Sequence, residues 1–336
     1  MDMRLVDRAI AAINSIDALD EPAAKVADAA SQLTHRHPVS TVLAGTWLGH
    51  PLHPVLTDIP IGCWTSAVAL DLVGGRSARS ATQFLVGAGV LAALPTALTG
   101  VADWADTVGE TKRIGAVHAL VNLTATACFA LSWRARHRGR HSRGVLLSGL
   151  GTTLVTGGAA LGGHLVYRTG TGVDTTAFDE RPSDWTTPSA PPRPLAGGAS
   201  VLEVASHKVL VSHSGMRDEW HGIDARCTHR GGPLDEGHID GGCVTCPWHQ
   251  SQFRLEDGDV VHGPATAPQP RYEVEERDGD LVVRATSGAA SCVKTTDRRI
   301  AGHRPGMSTL HCTTSRRKSA ETARLADRKR TRSRRA

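Results

Sequence analysis

Two short runs hold the side chains best suited to bind a metal centre. They are Cys227-Thr228-His229 and, after an interval of 16 residues, Cys246-Pro247-Trp248-His249. Each run offers one thiolate and one imidazole, so two loops apposed at their tips would supply four donors to a compact inorganic centre. Zinc in a Cys₂His₂ site uses that donor set, and so does a [2Fe–2S] cluster with two cysteines on one iron and two histidines on the other. Zinc fingers keep both cysteines in one knuckle and both histidines in another. Here each loop carries one of each, which a cluster can use because each loop then straddles both irons. Seventeen histidines favour metal ligation, and seven cysteines, an odd number spread over 336 residues, exclude the dense even framework of a small secreted domain.

The elements around these loops read as short strands. Val201 onward alternates as VLEVA, KVLVS and EWHGID, and later as YEVEE and LVVRA about the turn Asp278 to Asp280, which predicts an all-β domain over 196–287. A Pro- and Thr-rich stretch, 171–195, precedes it as a semi-extended linker. The last 22 residues hold ten Lys or Arg against Glu321 and Asp327, so the formal charge of +5 resides in the tail and the rest of the chain is about −3. Residues 288–336 lose periodicity and are expected to form a disordered basic tail; nucleic-acid binding is not expected, because a charge run alone specifies no partner.

A mean hydropathy of −0.19 hides an apolar first half. Val55 to Val73, Ala81 to Val101, Ile114 to Trp133 and Val145 to Tyr167 each approach the roughly 20 apolar residues that cross a bilayer. The expectation is therefore an all-α four-helix transmembrane domain over 38–170, preceded by an amphipathic helical segment, 1–37, outside the bilayer. His53, His118 and His164 fall at membrane depth, where polar groups are expensive. Two of them on different helices could hold a b-type haem, or with Asp58 or Asp103 they could exchange protons with a quinone; alternatively they hydrogen-bond each other and the backbone.

The second half resembles the Rieske iron–sulfur family, in the residues CTHRGGPL at Cys227 to Leu234, Glu236-Gly237, CPWHQSQF at Cys246 to Phe253 and HGPA at His262 to Ala265. The resemblance implies a [2Fe–2S] cluster with Cys227 and Cys246 on the inner iron and His229 and His249 on an outer, solvent-facing iron, with Ser251 donating a hydrogen bond to a bridging sulfide. It also implies departures from the members found in cytochrome bc complexes. The positions of their disulfide hold Gly232 and Trp248, and the position of a tyrosine donor holds Phe253, so the expected potential is below that of the quinol-oxidising type. Rieske oxygenases need a further, larger domain with a catalytic iron, and nothing of that length follows the motif. The first half resembles a family of four-helix membrane proteins of unknown function, through GHPLHPVLTDIPIG at Gly49 to Gly62, GVADW at Gly100 to Trp104, His118, and GGHLVY at Gly162 to Tyr167.

These readings converge on a membrane-anchored protein passing one electron at a time between a quinol or haem donor and a soluble partner protein, an electron-transfer component more than a self-contained enzyme. The alternatives are a quinol-oxidising enzyme with its site in the membrane half, and a redox sensor or assembly factor. Four spans put both ends of the bundle on one side of a cell membrane. Arg76 and Arg79 after the first span, and five arginines from Arg134 to Arg143 after the third, outnumber Lys112 and Arg113 after the second, which favours an exoplasmic cluster domain. Cluster assembly in the cytoplasm, no visible twin-arginine signal and no protective disulfide favour the cytoplasmic side, and that is the orientation expected.

Overall fold

The computed structural model describes residues 3–215 and 218–286; the expected disordered tail lies outside the described residues. Two amphipathic helices come first, α1 (Met3–Asn14) and α2 (Asp20–Thr34), then a short α3 (Val39–Ala44). Four long helices follow: α4 (Leu52–Val73), α5 (Arg79–Ala105), α6 (Gly109–His137) and α7 (His141–Tyr167). Each contains one of the four apolar windows and is long enough to cross a membrane. Their outward faces are apolar and uncovered, as at Leu72, Phe84 and Leu91, which suits lipid as solvent.

Within the bundle, polar groups are answered locally. Pro60 cannot donate to the carbonyl of Leu56, and Thr96 Oγ1 of α5 donates to that carbonyl instead at 3.1 Å. Trp64 and Phe129 stack at 4.1 Å between centroids, and each is seated against a glycine: a Cβ on Gly89 would lie 2.3 Å from Trp64 Nε1, and one on Gly151 2.8 Å from the Phe129 ring. One sequence reading is corrected here. Arg136, counted among the loop charges after the third span, is 6% exposed and belongs to α6; its guanidinium grips both oxygens of Asp71 and also donates to Thr82, Ser132 and Ser148. A buried, fully bonded arginine is part of the packing and does not count as a topogenic loop charge.

The N-terminal helices are tied to the bundle. Ile10 packs with Ile114, Leu161 and Leu165, and Arg113 meets Asp17 and Asp20. They cover the end of the bundle where α5 stops and α6 starts.

The β half has two antiparallel sheets. The first is ordered β1 (Arg193–Pro194), β2 (Ala199–Val204), β3 (His207–Ser214), β4 (Glu219–Asp224), β9 (Arg271–Arg277), β10 (Asp280–Ala285). The second runs in sequence order through β5 (His238–Asp240), β6 (Cys243–Thr245), β7 (Gln252–Arg254) and β8 (Val260–His262). Strands β2, β3 and β4 bury Val201, Leu210 and Ile223 on one side, in a core that continues through Leu234, Val244 and Phe253 to Cys227 and Cys246. The segment read as a spacer is laced to this domain: Thr186 pairs with Val283, Ala285 N–H donates to Pro182 O at 2.7 Å, and Arg181 reaches Asp224. Its prolines keep it extended, and the amides of Thr186 and Ser189 donate to Val283 O and Glu203 O of the sheet.

Candidate metal centre

The two motif runs form two loops with the same backbone plan. One follows β4 and the other joins β6 to β7. Cys227 N–H donates to Gly232 O at 2.8 Å and Gly231 N–H returns to Cys227 O at 2.8 Å; Cys246 N–H donates to Ser251 O at 2.8 Å and Gln250 N–H returns to Cys246 O at 3.1 Å. In each loop the residue four after the cysteine turns left-handed, Gly231 at φ 71° and Gln250 at φ 62°. Closing both loops this way carries the intervening imidazole to the tip. At Gly232, a Cβ would sit 2.8 Å from Cys246 Sγ and 3.2 Å from the Trp248 ring, so the position one loop leaves bare is filled by the other.

Cys227 and Cys246 are each 1% exposed and their thiols share a hydrogen bond. That bond, opposed by burial and aided by the backbone N–H groups of Trp248 and His249, brings Cys246 down to about 6, and the same bond raises Cys227. Burial pushes His229 down to about 3 and lowers His249 too, so both imidazoles are neutral, the form that ligates metal. The two rings stand at 87°, 5.1 Å between centroids. His229 Nδ1 is buried with no hydrogen-bond partner. A buried ring nitrogen costs free energy unless something accepts its lone pair, and here it accompanies two paired thiols and a second neutral imidazole. This donor set fits a [2Fe–2S] cluster.

Ser251 is fully buried; its Oγ accepts from Ala265 N–H at 2.9 Å, so its own proton is free to be donated elsewhere. Phe253, fully buried beside Cys246 in the core, brings no polar atom.

The histidine face does not look into open solvent, as the sequence reading had it. It packs on the membrane half. Asp106, just past α5 and 6% exposed, places Oδ2 3.7 Å from His229 Nε2, and its Oδ1 accepts from His35 Nε2 at 2.6 Å. Asp106, His229 and His249 offer donor atoms all within 4.8 Å of one another. Burial works against the charge on Asp106, but the bond from His35 holds its carboxyl below the ordinary range, and the same bond raises His35. Around this contact, Thr46 Oγ1 donates to Ala265 O at 2.8 Å, Gly263 N–H to Thr41 Oγ1 at 3.2 Å, and Thr175 Oγ1 to Cys227 O at 2.9 Å; the His37 and His262 rings lie 3.8 Å apart between centroids, tilted by 47°. Beside it, a cavity of about 30 Å³ is lined by Asp103, His229 and Arg230 among others.

The membrane histidines are settled differently. His53 Nδ1 donates to Thr96 O and His118 Nδ1 to Gly158 O, both at 2.9 Å, with the rings flush against Gly100 and Gly162. His164 makes no hydrogen bond or ring contact with either among the described residues, and Asp58 stands on the exposed face of α4. His53 on α4 thus ties to α5, and His118 on α6 to α7. Sequence reasoning passed over Asp106 and His35; the only signals were the second acid in GVADWAD and the histidine pair just ahead of α3.

Residues 190–273 match the model for the Rieske [2Fe-2S] domain, and residues 49–175 that for a predicted membrane protein family, DUF2231. The chain is 37% identical over 103 residues to carotenoid phi-ring synthase of Chlorobaculum tepidum, covering 31% of this chain and 15% of that protein. It is 33% identical over 88 residues to the 3-phenylpropionate/cinnamic acid dioxygenase ferredoxin subunit of Photorhabdus laumondii, covering 26% of this chain and 81% of that subunit. Among solved structures, the complex of reduced oxygenase and oxidized ferredoxin in carbazole 1,9a-dioxygenase includes a chain 25% identical, with a TM-score of 0.26, covering 32% of this chain and 96% of that one. The matched region thus spans a small part of the synthase and most of the ferredoxin subunit.

Proposed function

The chain belongs to the Rieske [2Fe–2S] family and joins that domain to a DUF2231 membrane domain, and on this premise we propose that it passes single electrons between a donor at the membrane and a soluble redox protein. Cys227 and Cys246 hold one iron, and His229 and His249 hold the other, His229 through Nδ1. The observation that carries this reading is the buried, unpartnered Nδ1 of His229 beside the paired thiols. A cluster so ligated takes up and returns one electron, within about −150 to +300 mV for centres with two histidines. The protein's own part is to keep both imidazoles neutral, to exclude water with the Leu234, Val244 and Phe253 core, and to direct backbone N–H groups and Ser251 at the sulfurs. With Phe253 in place of a hydroxyl donor, the potential belongs in the lower part of that range.

The likeness to a dioxygenase ferredoxin subunit supports carriage of electrons to a partner protein. The open side of the site is Trp248, 55% exposed, and we assign that side to the soluble partner. The histidine face, turned to the membrane half, is assigned to the donor. His53 and His118 lie flush against helix backbones at Gly100 and Gly162, so no haem on them enters this reading, and the cavity of about 30 Å³ beside His229 has room for water. We place the cluster domain on the cytoplasmic side, which suits loops without a disulfide; protease protection in oriented vesicles tests that.

The central test is electron spin resonance of the reduced, detergent-purified full-length protein, with iron and sulfide content. A Rieske signal is expected in the wild type, and none in His229→Ala or Cys246→Ser, with membrane insertion intact in both. Retention of the signal in either variant overturns the ligand assignment. Haem bands in the reduced-minus-oxidised spectrum would revive a haem donor, and reduction of the cluster by an added quinol would identify a quinol donor.

A further inference from the structure

Asp106 is an odd choice for a purely structural contact. It lies beyond the last turn of α5, 6% exposed, and its two oxygens face opposite halves of the molecule: Oδ1 toward His35 at 2.6 Å and Oδ2 toward His229 Nε2 at 3.7 Å. An asparagine could accept from His35 with one oxygen and would avoid burying a charge. The carboxylate adds a negative charge on the far side of a ligand imidazole, with His35 and the Arg230 guanidinium as the cationic groups that face it. Burial of Asp106 limits screening of its charge by water.

We propose that Asp106, oriented by His35, is the positioning residue through which the membrane half sets the potential of the cluster and holds its histidine face docked. The inference rests on the ligand assignment given above. An electron held by a cluster on the other side of the His229 ring would add negative charge facing the Asp106 carboxylate, and Coulomb repulsion would oppose it. The carboxylate also faces the ring nitrogen of His229 that is not assigned to iron. An acceptor there raises the basicity of the ligating nitrogen and stabilises the oxidised state, as carboxylates behind ligand histidines do at other metal centres. Both effects lower the reduction potential. His35 matters because it holds Oδ1 and so turns Oδ2 toward His229. His35 and His229 lie 194 residues apart in the chain, so docking of the two halves is what places the charge.

The test is a potentiometric titration of the full-length holoprotein followed by its electron spin resonance signal, with pulsed measurement of the couplings to the ligand nitrogens. Asp106→Asn should shift the midpoint upward and change the histidine-nitrogen couplings while keeping the signal amplitude per protein. Asp106→Glu should recover part of the shift, and His35→Gln should move the midpoint the same way by less. A midpoint and couplings in Asp106→Asn identical to the wild type overturn the proposal. Should Asp106→Asn lose its cluster, His35→Gln decides alone: a midpoint that is unchanged or moves downward overturns the proposal, and an upward shift with altered couplings supports it. A wild type without any Rieske signal is a different failure, since it removes the ligand assignment beneath.

Discussion

His118 in the membrane half and His229 in the cluster half are the same side chain in two kinds of burial. The ring of His118 donates from Nδ1 to Gly158 O at 2.9 Å, with Asn122 alongside, and lies against the backbone at Gly162. His53 repeats the arrangement on Thr96 O and Gly100. His229 has a buried Nδ1 with no partner and a carboxylate beside its Nε2. A ring that gives its Nδ1–H to a carbonyl in a helix seam ties two helices together and keeps Nε2 as its one acceptor. A ring buried with an unmet nitrogen beside paired thiols is held ready for a metal. Composition counts both as histidines; only the accounting of their ring nitrogens separates them.

His118→Leu tests that contrast most strongly. Against the complete loss of cluster expected for His229→Ala, it should leave the cluster signal per protein unchanged and cost about 1 kcal/mol of bundle stability, read as a lower thermal midpoint of helical signal in detergent. Loss of the cluster signal in His118→Leu, or of a haem band present in the wild type, would place His118 in the redox machinery and erase the distinction.

Much of this was legible locally. The motif spacing marked the four donors, the apolar windows fell inside α4 to α7, and the run EWHGID coincides with β4. Alternation did not single out the three-residue strands β5 to β8, which are too short to show a period. What sequence could not show are the contacts made by folding back. Arg136 meets Asp71 from 65 residues away, and Asp106 meets His35 across 71 and His229 across 123. An arginine near a helix end reads as a loop charge until its partner is seen, and an acid just past the end of a helix reads as nothing at all. The solvent-facing outer iron was likewise a property carried over from the family, and the extra helices of this chain cover that face.

The junction between the two halves should respond to pH from both sides. His35 takes up its proton more readily in the folded contact than as a free side chain, because of its bond to Asp106. Its stabilisation is fully present below the ordinary value of 6.5 and is lost as the pH rises through the raised one. His262, lowered by burial and by His37 close beside it, does the reverse: it costs nothing well above 6.5 and costs progressively more as the pH falls below. Hydrogen exchange at the Gly263 amide, which donates to Thr41, should therefore be slowest near neutrality relative to the intrinsic rate. His35→Gln should flatten the alkaline limb and His262→Gln the acid limb; a profile that neither variant alters would mean that these pairs do not control docking.

The smallest effect separates the two ligand loops from each other. They share one backbone plan, yet the left-handed position is a glycine in one, Gly231, and a glutamine in the other, Gln250. An L-residue with a side chain pays about 1 kcal/mol there, partly returned because glycine loses more chain entropy on folding. The Gln250 side chain is exposed and makes no hydrogen bond among the described residues. Gln250→Gly should therefore slow cluster loss slightly, by up to about 1 kcal/mol, read as the midpoint of visible bleaching on heating. Gly231→Ala should move the same midpoint down by about 1 kcal/mol or more, since its Cβ would also sit 3.2 Å from Arg226 Nε. If Gln250→Gly instead lowers the midpoint, backbone strain is not what distinguishes the loops. The glutamine would then be retained for a contact it makes with something outside this chain, on the same open side as Trp248, where the soluble partner has been placed.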